Sequence, residues 1–175
     1  MIFRLVLILM KTNPERLFLG IDPGLAKVGY GIIAYDGTHY KHVVHGVITT
    51  TKELSTGRRL IKIYRDIKKI IAEYLPDSAA IETLFYTNNS KTAMPVAEAR
   101  GVILFTLSES EIPFEEYSPL NVKLAVTGNG RATKNQIQEA VKLLCRMKEI
   151  PKPDHAADAL ALAICHANYV GFNKI

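Results

Sequence analysis

Four metal-capable positions stand inside apolar stretches of the sequence. Asp22 closes the run Leu17-Phe18-Leu19-Gly20-Ile21, and Glu82 follows Ala79-Ala80-Ile81. His155 and Asp158 lie in His155-Ala156-Ala157-Asp158-Ala159-Leu160-Ala161-Leu162-Ala163. A carboxylate among core residues is costly unless it is paired, hydrogen-bonded or bound to a metal. Several carboxylates gathered by a folded sheet would repel one another and hold divalent cations through oxygen. His155 and Asp158 are spaced i,i+3, so on a helix they share a face and can reach one ion. Each position also has an ordinary structural role open to it. Asp22 before Pro23-Gly24 can make an Asx-turn, Glu82 can pair with a buried cation, and Asp154 after Pro153 fits a helix N-cap.

The elements that would position these residues follow from periodicity and punctuation. Leu17–Ile21 reads as a buried strand meeting a turn at Asp22-Pro23-Gly24. Val28–Tyr35 and Tyr40–Thr50 are β-branched and aromatic, with Asp36-Gly37 between them, which predicts a hairpin and three antiparallel strands at the start. Leu60, Ile63, Tyr64, Ile67, Ile70, Ile71 and Tyr74 recur at helical spacing opposite Arg58, Arg59, Lys62, Arg65, Lys68 and Lys69. That basic face reads as the solvated side of an amphipathic helix stopped by Pro76. Ala79–Leu84 is a strand carrying Glu82, and Thr92–Ser108 is a helix that tolerates Pro95 only in its first turn. Ile112–Tyr117 is a fifth strand and Asn121–Val126 a short helix. Thr133-Lys134-Asn135-Gln136 matches a capping box opening a helix to about Lys148, and Asp154–Tyr169 forms the last helix. The sequence predicts one mixed α/β domain.

Composition narrows the class. The 175 residues suit about one domain, and 48% hydrophobic with 22% charged residues excludes disorder, collagen and coiled coil. No apolar run approaches the ~18 residues that span a bilayer. Cys145 and Cys165 lack any disulfide or zinc spacing, which fits a reducing, cytoplasmic setting. The net charge of +5 favours a polyanionic partner. Met1–Met10 holds a short apolar run without a small-residue cleavage site, so residues 1–16 read as an extension or extra strand rather than a secretory signal. Residues 17–170 form the expected domain, with 171–175 as its end.

Taken in order, Gly20-Ile21-Asp22-Pro23-Gly24, Gly29-Tyr30-Gly31, Ile81-Glu82 with Phe85, Ala99-Arg100-Gly101 and His155-Ala156-Ala157-Asp158-Ala159-Leu160-Ala161 resemble the RuvC family of Holliday-junction resolvases. The resemblance runs from about Leu17 to Ala167. It implies a ribonuclease H-like fold with a mixed five-stranded sheet flanked by helices, a homodimer, and symmetric metal-dependent nicking of four-way DNA junctions. It also implies work beside the RuvA–RuvB branch-migration complex. It assigns the metal site to Asp22, Glu82, His155 and Asp158, with His155 where many members carry Asp, and leaves Asp154 an open neighbour. Two Mg²⁺ ions about 3.5–4 Å apart would align attack and departure at the phosphate. A histidine among the ligands suits Mn²⁺ at least as well as Mg²⁺, and His155 must be neutral to ligate, so activity should fall in acid.

The resemblance further implies DNA contacts. Phe85 matches a wedge at the crossover, and Tyr86, Asn88 and Asn89 beside it could stack on or hold an unpaired base. Lys123 and Lys134 match basic positions near the scissile phosphate, where Lys134 could offset transition-state charge. Arg131 and Lys134 follow a Gly128-Asn129-Gly130 loop that leads into a helix N-terminus, whose backbone N–H groups with the two cations would form a phosphate grip. Small residues Ala93, Ala97 and Gly101 mark either a dimer contact or packing onto the sheet. An actin-like or sugar-kinase-like ATP-binding domain is the alternative, but no second glycine-rich phosphate loop is evident.

Overall fold

The computed structural model describes residues 15–83 and 90–172, with side chains from 93 to 170 in the second span. Residues 1–14 of the expected N-terminal extension and the segment holding Phe85, Tyr86, Asn88 and Asn89 lie outside the described residues, while Arg16, expected in the extension, begins the first strand. Five strands, β1 (Arg16–Asp22), β2 (Lys27–Tyr35), β3 (Tyr40–Thr49), β4 (Ser78–Glu82) and β5 (Phe114–Tyr117), form one sheet in the order β3-β2-β1-β4-β5. The first three are antiparallel, as expected, and β1, β4 and β5 run parallel. The helices are α1 (Thr56–Tyr74), α2 (Ser90–Glu109), α3 (Pro119–Thr127), α4 (Lys134–Leu144) and α5 (Asp154–Phe172).

Side-chain alternation splits the core into two layers. Leu19, Ile21, Ile32, Ala79 and Ile81 pack with Ile63, Ile67 and Ile71 of α1 and with Ala99, Ile103 and Leu107 of α2. On the other face Phe18, Ile33 and Ala80 pack against Leu160, Ala161 and Ile164 of α5 and against Val122 and Ile137 of α3 and α4. Helix α5 lies unusually close to the sheet. A Cβ at Gly20 would stand 1.9 Å from the Ala159 carbonyl oxygen, and one at Gly29 would stand 2.0 Å from that of His155. At Gly31 it would meet the Leu160 side chain at 2.7 Å. The alanines of α5 and the glycines of β1 and β2 are therefore one packing device.

His166 ties this layer together. Its Nε2 lies 2.8 Å from Ser78 Oγ and its Nδ1 lies 2.8 Å from Tyr117 Oη, joining α5 to β4 and β5. Burial pushes its pKa down to about 4, so the ring is neutral.

Several boundaries differ from the sequence-based expectation. Helix α4 stops at Leu144 instead of Lys148, because Arg146 turns left-handed (φ 52°) and Met147 N–H returns to the Lys142 carbonyl. Glu111 (φ 55°) ends α2 the same way, and β5 begins at Phe114 instead of Ile112. Pro95 sits at the sixth residue of α2, past the first turn. The capping box at Thr133 is present, with Gln136 N–H donating to Thr133 Oγ1.

Candidate active site

Strand register brings two acids together. Ile21 pairs with Ile81 in the parallel β1–β4 ladder, so Asp22 and Glu82 are the next residues on adjacent strands. They share the face of Gly20 and Ala80, which is the face α5 covers. Adjacent strands lie about 4.8 Å apart, so the two carboxylates leave the same end of the sheet as neighbours. On the other side of β1, Asp22 pairs with Gly29, and the missing Gly29 side chain lets the first turn of α5 approach.

That approach sets the rest of the site. His155 Nδ1 lies 2.7 Å from Asp22 Oδ2. Asp158, one turn further along, lies 3.2 Å by Oδ2 from Lys134 Nζ at the start of α4. Lys134 also reaches Asp154 Oδ2 at 3.2 Å, while Gln138 Nε2 donates to Asp154 Oδ1 at 3.0 Å. Glu82, Lys123, Lys134 and Asp158 line one cleft of about 220 Å³ floored by Val122, Ile137 and Leu162.

The electrostatics show how closely these groups sense one another. Glu82 is pushed up to about 7, first by burial and then by the charges of Asp22 and Asp158, against a smaller opposing pull from Lys134. Burial also raises Asp22, opposed by its hydrogen bond with His155. Burial pulls Lys134 down, but Asp158 and Asp154 outweigh it and hold the ammonium above the usual lysine value. Asp154, hydrogen-bonded to Gln138 and Lys134, is held below the carboxylate range. The four positions thus converge on one end of the sheet without pinching into a ready-made cluster. Among the described residues no three His, Cys, Asp or Glu side chains form one.

The donor chemistry nevertheless fits a hard divalent cation. Three carboxylates lie within electrostatic reach of one another, and Glu82 holds a proton near neutrality first because it is buried and then because the charges of Asp22 and Asp158 oppose its own. Because Asp22 is a carboxylate acceptor, His155 Nδ1 carries the ring proton, which leaves Nε2 as the nitrogen able to ligate.

Other expected residues are distributed unevenly. Lys123 joins Lys134 in the cleft lining, whereas Arg131 is exposed on the preceding loop and is not among the lining residues. The expected N-cap role of Asp154 is not what the structure shows: Asp154 is the first residue of α5, the Ala156 and Ala157 N–H groups donate to the Pro153 carbonyl, and the Asp154 side chain faces Lys134 and Gln138 instead of the Asp22–Glu82 pair. Gln138 gave no signal in the sequence. The closely spaced glycines of β1 and β2, opposite an alanine-rich helix, did carry one. Ala97 and Gly101 of α2 are exposed, and a Cβ at Gly101 would meet nothing within 4 Å, so this pair does not pack onto the sheet. Arg100 between them pairs with Glu116 of β5. Both cysteines are buried and free, and no helix among the described residues is long and apolar enough to cross a membrane.

Comparison with known proteins gives a consistent result. Residues 18–166 match the family described as crossover junction endodeoxyribonuclease RuvC. A crossover junction endodeoxyribonuclease RuvC of Alkaliphilus oremlandii is 50% identical over 159 residues, covering 91% of this chain and 97% of the relative. That of Fusobacterium nucleatum is 52% identical over 153 residues, covering 87% and 80%. Among solved structures, Thermus thermophilus RuvC in complex with a Holliday junction substrate superimposes with a TM-score of 0.87 at 30% identity, covering 90% and 96% of the two chains. The yeast mitochondrial Holliday junction resolvase Ydc2, at 14% identity and a TM-score of 0.64, shares the fold.

Proposed function

The chain belongs to the RuvC family of crossover junction endodeoxyribonucleases, and from that premise we propose that it resolves four-way Holliday junctions by symmetric hydrolysis of two opposed strands. The observation that carries this reading is the convergence of Asp22, Glu82, His155 and Asp158 at one end of the sheet, beside a cleft lined by Lys123 and Lys134. The kinase-like alternative finds no support, since the family match spans most of the chain.

We assign the cation-holding role to Asp22, Glu82 and Asp158 through oxygen and to His155 through Nε2, with Mg²⁺ as the working ion and two ions per site. When bound, such a pair supplies an activated water and stabilises charge on the attacking and leaving oxygens. The protein's own groups do the remaining work. The Asp22–His155 hydrogen bond fixes the imidazole tautomer and ring orientation. Glu82 must give up its proton before it can ligate, which couples the site to pH near neutrality. Lys134, held cationic by two carboxylates, can turn towards the scissile phosphate and offset its developing charge. Lys123 lines the approach, and Arg131 extends it towards the solvent side of the α3–α4 loop. Phe85, Tyr86, Asn88 and Asn89 follow Glu82 directly in sequence, which supports a role in holding the junction centre.

A junction is close to two-fold symmetric, so a homodimer with two clefts suits paired nicks. The exposed stripe Met94, Ala97, Gly101 and Phe105 along α2 supports that helix as the dimer face. Cooperation with RuvA–RuvB in the cytoplasm follows from the family reading alone. The deciding experiment incubates the protein with a mobile four-way junction and a matched linear duplex, with Mg²⁺ or EDTA. Paired symmetric nicks only in the junction, and only with Mg²⁺, are expected; nicking of the linear duplex to the same extent would overturn the reading.

A further inference from the structure

Helix α1 carries six basic residues and two acidic ones, a net +4, while the whole 175-residue chain is only +5. The remainder of the protein is therefore nearly neutral, and its positive field is concentrated on one 19-residue helix. The helix buries Ile63, Ile67, Ile70 and Ile71, and the opposite face is the charged one. Arg58, Arg65 and Lys69 are spaced i, i+7 and i+11, which at 3.6 residues per turn puts them on one straight line. Among the described residues none of the three has a carboxylate within ion-pair distance, whereas Lys62 and Lys68 are paired with Asp66 and Glu109. A shallow hollow of about 500 Å³, lined by Leu54, Arg58, Ile61, Lys62, Arg65 and Asp66, lies beside Arg58 and Arg65, and its one carboxylate, Asp66, is paired with Lys62.

The topology joins this line to the catalytic end of the sheet. In the ladders Asp22 pairs with Gly29 and Gly29 with Val47, so β3 finishes at Thr49 beside the active site. The chain then turns, and α1 starts there, anchored by Arg59 Nε donating to Thr50 Oγ1. Exposed Lys27 and Lys52 stand on the same rim. A cationic track thus begins at the rim of the catalytic end and descends the flank of the domain on the side away from α5.

We propose that this track, Lys27 and Lys52 at the rim followed by Arg58, Arg65 and Lys69 on α1, holds the phosphate backbone of a duplex arm leaving the junction. The inference rests on the proposed junction-resolving function and extends it to a second DNA surface outside the cleft. Charge complementarity selects the occupant, because unpaired guanidinium and ammonium groups in a line match a row of phosphates and offer no base readout. From Arg58 to Lys69 the helix rises about 16.5 Å, the length of roughly five base pairs. The contacts are therefore independent of arm sequence but need an arm long enough to reach α1.

The test measures binding of synthetic four-way junctions in EDTA, by fluorescence anisotropy across a salt series. Each lost phosphate contact lowers the slope of log affinity against log salt by about 0.9. The triple variant Arg58→Ala, Arg65→Ala, Lys69→Ala should lose about 2.7 from the slope on long-armed junctions and little on junctions whose arms are cut to a few base pairs. A control triple, Lys41→Ala, Lys148→Ala, Lys152→Ala, removes the same charge elsewhere and should leave the slope nearly unchanged. An unchanged slope for the α1 variant, or an equal fall for the control, overturns the track. Metal-dependent nicking of a short-armed junction should survive in the α1 variant. Its absence in the unaltered protein would instead defeat the function on which the track rests.

Discussion

Replacing Gly29 by alanine tests the packing that assembles the site. Gly29 lies across the ladder from Asp22, and an added Cβ would stand 2.0 Å from the His155 carbonyl oxygen. The obstacle is backbone, so no side chain can swing aside. Restoring ordinary contact at 3.4 Å requires α5 to retreat by about 1.4 Å at its first turn. The 2.7 Å bond between His155 Nδ1 and Asp22 Oδ2 would then open beyond hydrogen-bonding range. Overpacking of this kind costs ~1–3 kcal/mol, and a displacement near 1 Å in a catalytic group can cost ~10²-fold in rate. We expect a folded protein that binds junctions in EDTA but cleaves them at least ~10²-fold more slowly under single turnover. Gly57→Ala is the control, since a Cβ there meets nothing within 4 Å; it should be neutral or stabilising by up to ~1 kcal/mol. Full cleavage activity in a folded Gly29→Ala protein would refute the claim that helix-to-strand contact sets the catalytic geometry.

Other expectations follow from the same geometry. Glu82 keeps its proton to about pH 7 in the folded chain but loses it near 4.5 when unfolded, so between these values the native state binds more protons and stability falls as pH rises. Metal-free Glu82→Gln should therefore gain ~1–3 kcal/mol over the unaltered chain at pH 8 and nothing at pH 4; thermal melts in chelator showing no gain at pH 8 would count against the burial of that charge. Lys134→Ala should lower turnover far more than Arg58→Ala, which should act on salt-dependent binding, and equal turnover losses would remove Lys134 from the cleavage step. His166→Phe leaves Ser78 Oγ and Tyr117 Oη without their partner and should cost ~2–4 kcal/mol in urea unfolding; a loss under half of that would show the bonds to be replaceable. Cleavage supported by Mn²⁺ at least as well as by Mg²⁺ is expected from a site with one nitrogen donor, and strong Mn²⁺ inhibition would contradict His155 as a ligand.

Much of the fold was legible because its signals are local. The Asp36-Gly37 hairpin, the isoleucine periodicity of α1 and the Thr133 capping box each depend on neighbours along the chain, and each stands where the sequence predicts it. The ends of α2 and α4 were not legible, since both close on left-handed residues, Glu111 and Arg146, that are not glycine. Such closures are held by surrounding packing instead of residue preference. Asp154 shows the same limit at the site. Its position after Pro153 marks a helix start, yet only the folded α4 could reveal that its carboxylate would face Lys134 and Gln138.

Residue type and order by themselves determined which groups could do chemistry here, because a carboxylate or imidazole in an apolar stretch announces its cost wherever the chain later puts it. Distance was decided only in three dimensions. Strand register made Asp22 and Glu82 neighbours across sixty residues of sequence, and three side-chain-free positions let α5 settle close enough to bring His155 to Asp22. Both depend on contacts between segments remote in the chain, which no local preference encodes.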